Sequence, residues 1–368
     1  MINGIINVYK EAGYTSFDVV AKLRGITGQK KIGHTGTLDP DAEGVLPVCL
    51  GSATKLCEYL TDKTKAYEAT FRLGIETDTQ DISGKVVSET EVKLVDIMQS
   101  CNGTEEVDIT LEKLTSCIMS FVGKQQQIPP MYSALKVDGK RLYELAREGK
   151  EVERKPRDIE IFGIEIKDIV VNGAGDCEVT IDVECSKGTY IRTLCYDIGR
   201  KLGCGATMTK LLRTRSGNFL LKDALTLGAI EDMLADVPRD IELPARKDKP
   251  ARMDKPARMD KPARMDKPAR KDKPARMDKP ARMVRDSEKV RDALRVITFP
   301  VDSVFSHYEE ITVEGENFRR VLNGNYVNHT YLTDVVRVYG PEHRFLAIYE
   351  YSKKDKWYKP QKMFLEET

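Results

Sequence analysis

Histidine and tryptophan are scarce in this chain, at 4 and 1 of 368 residues. Its eight cysteines, Cys49, Cys57, Cys101, Cys117, Cys177, Cys185, Cys195 and Cys204, never stand as CxxC pairs. That spacing fits reduced thiols in a cytoplasmic protein better than a disulfide scaffold or a structural zinc site. No apolar run approaches the roughly 20 residues that cross a bilayer. The opening MINGIINVYKEAG has no basic stretch leading into an apolar one, so no secretion signal is expected. GxxxxGK[ST] is absent, which excludes a P-loop. The HxE and PCxxC pattern of a nucleobase deaminase is absent as well.

Net charge is also lacking, but only on average. The formal net charge is +1, yet residues 244–283 hold seven Arg and eight Lys against six Asp, or +9. The remainder therefore carries −8, and any face for nucleic acid has to be a local patch. The basic strip is a repeat of period six, PARMDK or PARKDK, with PAR at Pro244, Pro250, Pro256, Pro262, Pro268, Pro274 and Pro280. Proline at that frequency excludes a continuous helix, and Ala and Met alone give little to bury. An extended, disordered insert is the expectation, either a tolerated surface insertion or a weak basic tether for RNA.

On either side of the repeat, strands and helices mix without a regular βαβ rhythm. The fold class expected is therefore α+β. INGIINVYK reads as a strand, and SFDVVAKLRGITG as a helix capped by Ser16 and closed by Gly25 or Gly28. YEATFRLGI alternates as a strand. ITLEKLTSCIMSFVG has Leu111, Leu114, Ile118 and Phe121 on one helical face. IEIFGIEIKDIVV and CEVTIDVEC alternate as antiparallel neighbours. The short C-terminal strands EITVEG, VVRVYG, RFLAIYEY and WYKPQKMFL suggest a small, mostly β domain.

Four segments hold candidate chemistry. In GHTGTLDPDAEGVLP, Gly33 to Pro47, the proline after Asp39 restricts that residue to extended backbone, and Gly33, Gly36 and Gly44 permit close approach. So rigid a carboxylate suits a nucleophile or general base, and equally an Asp-Pro turn that caps an amide. A metal site there would need partners for His34 and Asp39, and His307, His329 and His343 all lie beyond the repeat, so no metal is expected. In CSKGTYIRTL, a strand would put Tyr190 and Arg192 on one face. Arg192 then pairs either with a catalytic carboxylate or with a surface acid. Tyr67 in KAYEATFRLG is either a platform for a base or a core tyrosine. Residues 125–140 combine prolines, a tyrosine and lysines suited to gripping RNA.

Together these segments resemble the TruB-type pseudouridine synthases, which modify the T loop of tRNA. The resemblance runs through NVYKEAGYTSFDVV, GHTGTLDPDAEGVLP, KAYEATFRLGIETDTQDISG, IPPMYSALKVDGKRLYELAREG, CSKGTYIRTL and GATMTKLLRTRSG, and resumes at FPVDSV. It implies a catalytic domain over 1–243 with a mixed, largely antiparallel sheet and a thumb-like RNA-binding insertion at 123–149. The repeat at 244–283 would follow, then a return segment at 284–303 and a PUA-like RNA-binding domain at 304–368. The family's nucleophile corresponds to Asp39, and its uracil-stacking tyrosine, proposed to act at C5, to Tyr67. The arginine that pairs with the carboxylate corresponds to Arg192. His34, Tyr190, Lys10 and Lys136 take substrate-binding positions, and Lys10 is expected to be structural as well. No cofactor is implied. The implied partner is the tRNA T arm, with no membrane and no obligate protein partner, and the chain is expected to be a cytoplasmic monomer. Tyr9-Lys10-Glu11 departs from the family's usual Asp-Lys-Pro, so a looser turn is expected there. The rival reading is an RNA chaperone that folds tRNA without chemistry.

Overall fold

The computed structural model describes residues 2–61, 63–95, 106–137, 139–171, 176–235 and 287–365. The hexapeptide repeat and Cys101 lie outside them. The chain is α+β, built on a ten-stranded sheet. Its main path runs Thr298–Phe299, Gly4–Lys10, Glu43–Leu50, Ala206–Ser216, Lys65–Leu73, Cys177–Cys185, Arg157–Val171, Gly123–Gln127. Neighbours on this path are antiparallel except Glu43–Leu50 and Ala206–Ser216, which run parallel. That parallel contact brings the stretch after the Asp39 loop against a strand some 170 residues later, with Arg213 opposite Gly44.

Alternation explains the central strands. In Lys65–Leu73, residues 65, 67, 69, 71 and 73 are buried and the others are not. Buried positions of Cys177–Cys185 follow the same period. That face packs under the helices Leu111–Met119 and Ile191–Leu202 through Phe71, Ile181, Ile118, Leu194 and Ile198. A second cluster joins the Ser16–Thr27 helix to Leu227–Asp232 and Ser287–Arg295 through Val20, Leu23, Ile230 and Leu294.

The structure settles four local details. The first helix is capped by Thr15, not Ser16: Thr15 and Asp18 form a reciprocal capping box, and Gly28 closes the helix with left-handed backbone. Phe17 is 65% exposed, because the buried stripe runs through Val19, Val20 and Leu23. Leu111 opens its helix at 57% exposure, while Leu114, Cys117 and Ile118 face the core. The basic segment after the double proline is a short hairpin, Lys136–Val137 with Lys140–Arg141, followed by the helix Leu142–Arg147.

The C-terminal part is a separate four-stranded sheet ordered Glu309–Thr312, Val335–Tyr339, Phe345–Ser352, Trp357–Met363. It has its own core around Val336, Val338 and Tyr349. Phe305, Ile348 and Phe364 also pack with Ile5, Val45 and Leu56. Lys55 Nζ donates to the Met363 carbonyl at 2.9 Å across the same junction.

Candidate active site

The Asp39 loop is pinned from two sides. Ser16, in the first turn of the first helix, accepts from Leu38 N–H at 2.9 Å. Lys10 ends the first strand, and its ammonium donates to the carbonyls of Pro40 at 2.8 Å, Ala42 at 2.5 Å and Glu11 at 3.1 Å. Lys10 is 0% exposed, and burial pulls its ammonium down to about 8. It therefore has no surface left for substrate. These contacts are those of a structural residue that holds the carbonyls of Glu11, Pro40 and Ala42 together.

Arg192 is the hub. Its Nε lies 3.0 Å from Asp39 Oδ2, and Nη2 donates to Asp39 Oδ1 at 3.4 Å. Nη1 reaches Asp81 Oδ2 at 3.2 Å and the Thr79 carbonyl at 3.1 Å, while Nη2 also reaches the Tyr132 carbonyl at 2.9 Å. The guanidinium is 5% exposed while the Asp39 side chain is 39% exposed, so the carboxylate is held from behind and open in front. Burial raises the Asp39 carboxyl above the usual range, and Arg192 opposes that shift.

Tyr190 and Arg192 are not on a strand. Tyr190 is the N-cap of the Ile191–Leu202 helix, and Arg192 sits in its first turn. An extended segment would have aimed Arg192 by alternation; here the helix start aims it. Tyr190 is partly buried, and burial raises its phenol. Tyr67 is 7% exposed, and burial raises its phenol too, opposed by the adjacent Arg213 guanidinium. His34 accepts from Gly36 N–H at Nδ1, 3.4 Å away, and burial lowers its pKa, so the ring is neutral at pH 7. Lys136 stands on the exposed hairpin.

The structure thus gathers Asp39, Arg192, Tyr67, Tyr190 and His34, with Lys10 beneath them. Three members were not singled out in the sequence. Asp81 in TDTQDISG is the second acid on Arg192. Gln127, before the double proline, exchanges hydrogen bonds with Tyr190. Arg213 in RTRSG is 1% exposed and donates from Nε to the Val45 carbonyl at 2.6 Å. Among the described residues no group of three or more His, Cys, Asp or Glu is placed to hold a metal. None of their helices is long and apolar enough to cross a membrane.

Comparison with known proteins decides the family. The model of the TruB family pseudouridylate synthase N-terminal domain matches residues 24–191, and that of the tRNA pseudouridylate synthase B C-terminal domain matches 192–243. The chain belongs to the TruB family. The tRNA pseudouridine synthase B of Clostridium novyi (strain NT) is 52% identical over 229 residues, 62% of this chain and 72% of that protein. The protein of the same name from Lachnoclostridium phytofermentans is 41% identical over 99% of this chain and all of its own length. A chain from a Cbf5-Nop10-Gar1 complex matches in structure with a TM-score of 0.60 at 22% identity, over 99% of this chain and 85% of its own. One from an H/ACA RNP bound to a substrate RNA gives 0.59 at 20%, over 98% and 85%. At those identities the structural likeness speaks for the fold, which extends through the C-terminal sheet.

Proposed function

We propose that this chain isomerises uridine to pseudouridine at position 55 in the T loop of tRNA, with Asp39 as the nucleophile acting on a flipped-out base. The observation that carries the residue assignment is the Asp39–Arg192 pair: a carboxylate open on one side, gripped on the other by a buried guanidinium, beside Tyr67. The reaction breaks N1–C1′, turns the uracil and joins C5 to C1′. Substrate and product are isomers, so the chemistry requires no oxidant and no group donor. Attack at C6 and attack at C1′ both begin from the same ionised carboxylate, which Arg192 favours against the effect of burial.

The uridine has to leave the folded loop at a cost of a few kcal/mol. Stacking on Tyr67 returns about 1–3 kcal/mol of that. His34, Tyr190 and the exposed Lys136 are assigned to the T arm, and the C-terminal sheet to RNA binding in the manner of a PUA domain. A cytoplasmic monomer with no obligate protein partner completes the reading.

The test is direct. Unmodified tRNA is incubated with the wild type and with Asp39→Asn, and pseudouridine is mapped by chemical labelling. Product at the T-loop uridine from wild type alone is expected. Product from both proteins removes Asp39 from its role; tRNA binding without product from either favours the chaperone.

A further inference from the structure

A second guanidinium is buried beside the Asp39 pair. Arg213 lies directly opposite Tyr67 across one ladder of its strand and opposite Gly44 across the other. Directly opposed residues stand on the same sheet face with Cβ atoms about 4.5–5.5 Å apart. Gly44, at φ +102°, lets the strands close: a Cβ there would stand 2.3 Å from the Arg213 carbonyl oxygen. Nε is fixed by the Val45 carbonyl, which aims the rest of the fork. The side chain is 1% exposed, yet buried Nη2 has no hydrogen-bond partner among the described residues.

Packing alone does not account for such a group. A buried cation with a free donor costs more than a Met or Leu of similar volume. The guanidinium stands beside the Tyr67 phenol, while Asp39 faces that phenol from its loop and Cys185 from the next strand. His34 and Lys10 feel the same cation.

We propose that Arg213 is a positioning residue for Tyr67: its guanidinium holds the phenol oxygen and balances the negative charge that develops there as the phenol exchanges its own proton for the one on C5. This rests on the isomerase reading above. Once C5 has joined C1′, the adduct is a tautomer of the product. N1 takes the Tyr67 phenol proton, the C5–H bond breaks, its electron pair becomes the C5=C6 bond as the C6=N1 pair moves onto N1, and the C5 proton passes to the phenol oxygen. The phenol ends as it began, so the step balances with no other reactant. The phenol oxygen carries negative charge only in passing, and Arg213 is the cation beside it. Burial raises the phenol while Arg213 opposes that rise, in keeping with this role.

The test uses the full chain, unmodified tRNA and single-turnover rates with excess enzyme, for Arg213→Gln, Arg213→Lys, Tyr67→Phe and the two double variants. Arg213→Gln is expected to slow the reaction about 100-fold, within the range of general-base contributions. Its tRNA Kd should stay within about twofold, and Arg213→Lys should recover part of the rate. In the Tyr67→Phe background either change should cost less than about threefold, because the group it serves is gone. Equal losses in both backgrounds, or a loss explained by weaker tRNA binding, would overturn the proposal. If Arg213→Gln does not fold, Arg213→Lys carries the same comparison. A wild-type rate for Tyr67→Phe also overturns it while leaving Asp39 in place; product from Asp39→Asn instead overturns the underlying reading.

Discussion

Gln127 and Tyr190 hold each other by two hydrogen bonds. Tyr190 N–H donates to Gln127 Oε1 at 2.8 Å, and Gln127 Nε2 donates to the Tyr190 carbonyl at 3.0 Å. Gln127 is 4% exposed and ends the strand Gly123–Gln127, from which the segment with the double proline departs; Tyr190 caps the helix that carries Arg192. Arg192 in turn donates to the Tyr132 carbonyl within that segment. That segment and the helix that carries Arg192 are thus joined at two points.

Gln127→Leu strands the backbone N–H of Tyr190, whose carbonyl still accepts from Leu194 N–H at 3.0 Å, and a buried unsatisfied group costs about 1–3 kcal/mol. The variant should melt at lower temperature than wild type, and its turnover should fall more than its tRNA affinity. Thermal unfolding, filter binding and single-turnover rates check this. An unchanged rate would show that the joint is not used in catalysis.

Arg192→Met removes the cation shared by Asp39 and Asp81. Loss of one preorganised electrostatic partner costs about 100- to 1,000-fold in kcat. The pH dependence should move as well. Burial already raises the Asp39 carboxyl, and Arg192 is the main group opposing it. Without Arg192 the folded-state pKa rises further, so the acid limb of the rate shifts to higher pH. Asp81→Asn, which keeps Arg192 on Asp39, should lose much less. Rates measured from pH 5 to 9 separate the three.

Asp197 lies on the same helix as Arg192, and burial raises its carboxyl to about 6. A raised folded-state pKa means that its contribution to stability is fully present below the unfolded value near 4 and is lost as pH rises through about 6. Asp197→Asn should therefore stabilise the protein at pH 8 by on the order of 1–2 kcal/mol after solvent screening, with the gain vanishing near pH 4. Melting temperatures at the two pH values check the sign.

Deletion of residues 244–283 should leave pseudouridine formation and the melting temperature unchanged. The elements on either side pack without it: Val290 and Leu294 join the core of the first helix, and Thr298–Phe299 pairs with Gly4–Lys10. A large loss of activity in a folded deletion variant would give the repeat a role in catalysis or RNA binding.

Much of the fold was legible because its signals are local. Alternation in Lys65–Leu73 and Cys177–Cys185 marks half-buried strands, and a Gly at position 28 ends a helix wherever that helix packs. Asp39 stood out because proline and glycines restrict the chain around it. The misreadings are also local in cause. Thr15 and Ser16 are both good caps, and only the reciprocal bonds with Asp18 chose between them. Tyr190 and Arg192 fit either a strand or a helix start, since two residues are too few to carry a period.

The sequence by itself determined the α+β class and the family and singled out Asp39 as a candidate, each from contiguous residues or their order. Tertiary structure alone decided that Lys10 lies under the loop, that Arg192 grips a carboxylate 153 residues away, and that Arg213 faces Tyr67. Charged side chains read as surface until something shows what surrounds them. What surrounds these three is set by strands from distant parts of the chain that become neighbours only when the sheet closes.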